Sequence, residues 1–142
     1  MGSTHRAALP LAFALAVAAP NAQACGHCIE DKVAAVYDHA VVTAALARKH
    51  QVVFFALDGK LAGTEAERRL IEQTAQSAQG IDPGTLRVSS ELASLSVAFD
   101  PARVSFASLQ RALEHKLMRR GFSLLPLRVM DRPAELKTAA GR

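Results

Sequence analysis

The chain has 142 residues, 50% of them hydrophobic, with 17 Lys and Arg against 13 Asp and Glu and a formal net charge of +4. The positive excess is scattered, with Arg68-Arg69 and Arg119-Arg120 its only adjacent arginine pairs, and no Trp and one Tyr are available to interleave with it. That distribution excludes a nucleic-acid surface built from basic residues and stacking aromatics.

The first residues read as an export signal. Arg6 supplies positive charge with no acidic neighbour, Ala7 to Ala19 form an apolar run, and Pro20 and Asn21 break it. Ala22-Gln23-Ala24 then places small residues where a signal peptidase needs them. The apolar run is too short to be a permanent membrane span. The processed chain is therefore predicted to begin at Cys25, to lie in the periplasm or outside the cell, and to carry no membrane span. A Cys directly after small residues also fits lipid anchoring at Cys25, although Ala22 stands where such signals want a larger aliphatic residue. Without its signal the chain is of single-domain size, with enough residues to bury a core.

Ile29, Val33, Tyr37, Ala40, Val41 and Ala44 recur at spacings of three and four, which predicts one helix from about Cys28 to Lys49. Glu30 and Asp31 at its start and Arg48, Lys49 and His50 at its end suit the helix dipole. Gln51 to Leu57 is β-branched and aromatic, a buried strand. Asp58-Gly59 opens a loop, and Thr64 with Glu67 forms a capping box at the start of a helix running to about Ala78. Ala66, Leu70, Ile71 and Ala75 form its apolar side.

Leu86 to Ser90 and Ala93 to Phe99 are the next strands, the second alternating Leu95, Val97 and Phe99 with Ser94, Ser96 and Ala98, and Glu91-Leu92 turning between them. Asp100-Pro101 ends that strand, and Ser105 caps a helix whose apolar face is Phe106, Leu109, Leu113 and Leu117. Arg119-Arg120 and Gly121 close it. Phe122 to Met130 is the last strand, where Pro126 demands an edge or a bulge. Met118 and Met130 read as core fillers. Residues 131–142 form a loose tail, with a short helical turn at Ala134 to Thr138. The order helix, then β-α-β-β-α-β, predicts an α+β chain: a ferredoxin-like βαββαβ sandwich with two helices on one face of an antiparallel sheet, preceded by an extra N-terminal helix.

Val97-Ala98-Phe99-Asp100-Pro101, Val104-Ser105, Leu109, Ala112-Leu113 and Gly121-Phe122 follow in order as strand, Asp-Pro turn, capped helix and Gly-aromatic exit. This run resembles the second half of a heavy-metal-associated domain, and Gly59 and Gly80-Ile81 fall near the glycines of that family's first half. The resemblance spans 51–130 and implies the ferredoxin-like fold and metal handling. It does not transfer a site. Family members hold metal on a Met-x-Cys-x-x-Cys loop, whereas the corresponding loop here is Gly59-Lys60-Leu61-Ala62-Gly63-Thr64. The domains are thus a signal over 1–24, a cysteine segment with its helix over 25–50, the heavy-metal-associated-like domain over 51–130 and the tail over 131–142.

The chain's 2 cysteines lie in Cys25-Gly26-His27-Cys28. Three readings of this cluster stand. In the first, Cys25, His27 and Cys28 bind metal: paired thiolates favour Cu(I) or Zn(II). The amine freed at Cys25, two amide nitrogens and the His27 imidazole make a square-planar set for Cu(II) or Ni(II). Copper suits both sets; zinc and nickel each suit one. In the second, Cys25 and Cys28 form a redox pair, since the four residues match a disulfide isomerase motif and a helix N-terminus activates a thiol. That motif normally follows a strand, which is missing here. In the third, the pair is a structural disulfide, which closes too short a loop to stabilise much.

On one continuous helix His39 would stand about 16 Å from Cys28, too far to share its ion; His50 and His115 read as ordinary surface or half-buried groups. The chain reads as a carrier, sensor or tolerance protein rather than an enzyme, its partners a metal ion and a metal transporter or other exported protein. A module docking a partner through the Gly59–Thr64 loop, with the cysteines incidental, is the other alternative.

Overall fold

Gln51–Asp58 forms strand β1 with an apolar residue at almost every position because both faces of the sheet are covered. The computed structural model describes residues 24–132, with side chains described from Ile29 onward. The export signal up to residue 23 and the helical turn expected at Ala134 lie outside the described residues. The elements are α1 Ala24–Ala35, α2 His39–Ala47, β1, α3 Glu65–Gln76, β2 Arg87–Ser89, β3 Ser94–Phe99, α4 Phe106–Met118 and β4 Ser123–Met130. The strands form one antiparallel sheet in the order β2-β3-β1-β4. This is the split βαβ arrangement of the ferredoxin-like fold, as the element order predicts.

Alternation along the strands sorts residues between two cores. Val53, Phe55 and Leu57 of β1 and Leu95, Val97 and Phe99 of β3 join Ile71 and Ala75 of α3 and Leu109, Leu113 and Leu117 of α4. Val52 and Phe54 of β1 and Ala98 of β3 face the other way, against Val33, Val36, Val42 and Ala45. The extra N-terminal segment therefore builds a third layer on the sheet's second face. Ser94 and Ser96, which alternation marks as the polar side of β3, are buried beneath that layer at 0% and 3% exposure.

The single leading helix expected over 28–49 is two helices. Asp38, in extended conformation, caps α2 by accepting from the Ala40 and Val41 amides at 3.0 and 3.2 Å. The break resets the helical phase, so Val36, Val42 and Ala45 are buried in place of Tyr37 and Ala44, and Tyr37 is exposed. On α3, Ala66 and Leu70 are exposed and only Ile71 and Ala75 of the expected face are buried. Met118 is no core filler: it is 65% exposed on the last turn of α4, whereas Met130 packs against the second core. Pro126 meets both conditions set for it. Strand β4 is an edge, and its register shifts where Phe54 pairs with Arg128 but Phe55 with Pro126, leaving Leu127 as the extra residue.

Candidate functional site

Cys25, His27 and Cys28 lie in the first turn and a half of α1. Residues three apart on a helix are neighbours, with Cβ atoms about 5–6 Å apart, so positions 25 and 28 share one side of α1. Position 27 falls about 160° around the axis from position 25. The helix thus brings the two cysteine positions together and sets the histidine position apart. The same turn carries backbone N–H groups without intrahelical acceptors and the positive end of the dipole, both of which favour thiolate. A planar set of amine, amides and imidazole needs consecutive amide nitrogens in one plane, whereas a helix winds them about its axis. The two donor sets therefore require two conformations of one turn.

Past this turn α1 becomes anchored. Val33 is buried, as is Val36 just past the helix end, while Ile29 is still 39% exposed. Two polar tethers sit between. Lys32 Nζ donates to the carbonyls of Leu92 and Ala93 at 2.6 and 3.2 Å, on the turn joining β2 to β3. On the other flank Arg128 of β4 donates to Glu30.

The loop from Gly59 to Thr64 contains no thiol, imidazole or carboxylate. Its backbone is engaged from within: Glu67 Oε2 accepts from both Ala62 N and Gly63 N at 2.9 Å, while Thr64 Oγ1 accepts from Glu67 N at 3.3 Å. Thr64 makes its half of the expected capping box, but the Glu67 carboxylate binds the amides one and two residues before the cap in place of the cap's own. A Cβ on Gly59 would stand 2.7 Å from the Gly121 carbonyl and 2.8 Å from Phe122 Cδ1, so glycine there permits the loop to lie against the exit of α4. A hollow lined by Gly59, Leu61, Gly63, Glu91 and Ala93 adjoins the turn that Lys32 grips.

Sequence reasoning missed a cluster at the start of β1. His50 Nδ1 lies 2.5 Å from Asp82 Oδ2, and its Nε2 lies 3.9 Å from Asp100 Oδ2. Arg48 Nη2 is 3.6 Å from the same Asp82 oxygen. No local motif announces this. The usable signal is register: Gln51 pairs with Phe99, which sets the preceding His50 beside the following Asp100. His39 is the exposed first residue of α2, its ring 6.5 Å from that of Tyr37, and the helix break removes the continuous axis along which its distance from Cys28 was reckoned. His115 is exposed, as expected.

Two carboxyls outside these sites are held below their usual range. Hydrogen bonds from the Val41 amide and then from Arg87 depress Asp38. Hydrogen bonds from Arg68 and then Arg69 bring Glu65 down to about 2. Among the described residues, no three His, Cys, Asp or Glu side chains converge to hold a metal ion. No described helix is long and apolar enough to cross a membrane.

No family model and no curated protein matches the chain. Solved structures do. Oxidised MerP from Ralstonia metallidurans CH34 is similar over 56% of this chain and 99% of its own, at 19% identity and a TM-score of 0.43. A copper-binding domain from HMA7, a P-type ATPase, is similar over 56% of this chain and 96% of its own, at 18% identity and a TM-score of 0.44. Likeness at this level concerns the fold alone, and the fold already follows from the strand order of the ferredoxin-like sheet.

Proposed function

We propose that the processed chain is an exported metal-handling protein that binds copper through Cys25 and Cys28, with His27 and the Cys25 amine as an alternative donor set. The observation that carries this reading is that the chain's 2 cysteines stand one helical turn apart at the start of α1, immediately after the predicted cleavage point. The thiol pair suits Cu(I); unwinding that turn yields the nitrogen set suited to Cu(II). Zinc could use the thiols and nickel the nitrogens. The loop over 59–64 offers no side-chain donor of these kinds, so the ferredoxin-like domain serves as the platform. A metal transporter or another exported protein would receive or supply the ion.

The test is competitive titration of residues 25–142 with Cu(I) and spectroscopic titration with Cu(II). Replacing Cys25 and Cys28 with Ser abolishes tight Cu(I) binding, and His27→Ala removes the planar Cu(II) spectrum while leaving Cu(I) affinity in place. Unchanged Cu(I) affinity in the double Ser variant overturns the proposal. Turnover of a disulfide substrate with no metal retained would move the cysteines to the redox reading.

A further inference from the structure

Lys32 is a half-buried cation whose contacts satisfy its protons but leave its charge without a counter-ion. Its Nζ donates to the Leu92 and Ala93 carbonyls, and no carboxylate lies within ion-pair distance of it among the described residues. A charge drawn partly out of water without an opposite charge is unfavourable. The acidic residues of α1 itself do not supply one. Glu30 is taken by Arg128 on the opposite flank, and Asp31 falls about 100° around the helix axis from Lys32.

The helix sets this cation beside the cysteine positions. Successive residues turn by about 100°, so position 32 falls between positions 25 and 28, about 20° around the axis from the first and about 40° from the second. Along the axis it stands about 6 Å from position 28 and about 10 Å from position 25. Two contacts give the helix its direction on the sheet. The Val36 carbonyl accepts from Ser96 Oγ, whereas Lys32 reaches back to the turn that precedes β3. Toward its start, α1 therefore runs past the end of the sheet, and Lys32 is the charge on the side that carries both cysteine positions.

We infer that Lys32 is the counter-charge of the metal-loaded thiol pair and selects a univalent ion there. This assignment rests on the copper reading above. Binding releases the thiol protons to solvent, and two thiolates with Cu(I) then keep one net negative charge. The same two thiolates with Zn(II) keep none. The nitrogen set, with two deprotonated amides, likewise brings Cu(II) or Ni(II) to neutrality. An ammonium fixed at this distance favours the anionic complex over the neutral ones. Lys32 thus decides between ions that the donor atoms alone accept.

Competitive titration of residues 25–142 with Cu(I) and with Zn(II) tests this in the parent and in Lys32→Gln, which keeps an N–H for the turn and removes the charge. Cu(I) affinity should be about three- to tenfold weaker in Lys32→Gln. Its Zn(II) affinity and its His27-dependent Cu(II) affinity should be unchanged, and Lys32→Arg should keep the parental Cu(I) affinity. Lys32→Met, which keeps the aliphatic stem, serves if Lys32→Gln does not fold. A residue acting only as a tether for α1 would not separate the ions. Tight Cu(I) binding by the parent with the same Cu(I) to Zn(II) affinity ratio in the uncharged variant overturns this assignment and leaves the copper reading standing. Absence of tight Cu(I) binding in the parent overturns both.

Discussion

Ser94 and Ser96 occupy the same face of β3, two residues apart and beneath the added helices, yet their replacement by Ala should have opposite effects. Ser96 Oγ donates to the Val36 carbonyl at 2.7 Å, just past the end of α1. Carbonyls at a helix end have no intrahelical donor, so Ser96→Ala strands a buried acceptor and loses a hydrogen bond, at a cost of about 1–3 kcal/mol. Ser94 Oγ is fully buried with no partner among the described residues. Its desolvation is already uncompensated, so Ser94→Ala should be neutral or stabilising by up to about 2 kcal/mol. Alanine leaves nearly the same volume in both places, which keeps cavity effects small. Equilibrium urea denaturation of the two variants and the parent, with the slope checked for constancy, measures the difference. The two midpoints should lie on opposite sides of the parent, or Ser94→Ala at it and Ser96→Ala well below. A costly Ser94→Ala or a neutral Ser96→Ala would refute the argument that the hydroxyl of Ser96 fixes the added layer to the sheet.

Three further outcomes follow from single contacts. Gly59→Ala should destabilise by about 1–3 kcal/mol in the same assay, because its Cβ would meet the Gly121 backbone and the Phe122 ring at under 3 Å. Asp38→Ala should lower the melting temperature by a few degrees through loss of the α2 cap and the Arg87 contact, and Asp38→Asn, which keeps an acceptor, by less. Glu65 is depressed from 4.5 to about 2 by Arg68 and Arg69, so its contribution is present above pH 4.5 and lost as pH falls toward 2. Acid titration of stability should therefore be shallower over that interval in Glu65→Gln than in the parent.

The ferredoxin-like part was legible because its signals are local. Thr64 and Ser105 cap the helices they precede, and Pro126 marks a strand that proves to be both edge and bulged. The N-terminal layer was harder. Asp38 is a cap residue, yet apolar spacing runs through it, and periodicity alone continues a helix that the Asp38 side chain ends by binding the Ala40 and Val41 amides. The serines of β3 alternate as though solvent lay on that side, because alternation records which residues share a face and says nothing of what covers it. Met118 shows the reverse error: an apolar residue one position past the buried Leu117 falls outside the core stripe of α4. The His50 cluster depends on strand register and loop placement, which no short motif contains.

The added layer also bears on where chemistry can occur. In the loop between β1 and α3, the amides of Ala62 and Gly63 point to Glu67 and no thiol, imidazole or carboxylate is present, so its backbone serves to cap α3. Lys32 grips the β2–β3 turn beside the same hollow. Cys28 lies one turn before Lys32, about 6 Å along the axis by helical rise. If the cysteines hold copper as proposed, the donors stand on a helix tied beside this loop rather than on the loop itself. Among the described residues, α1 is held by Val33, with Val36 buried just past its end, and by the Glu30 and Lys32 tethers that follow the cysteine turn.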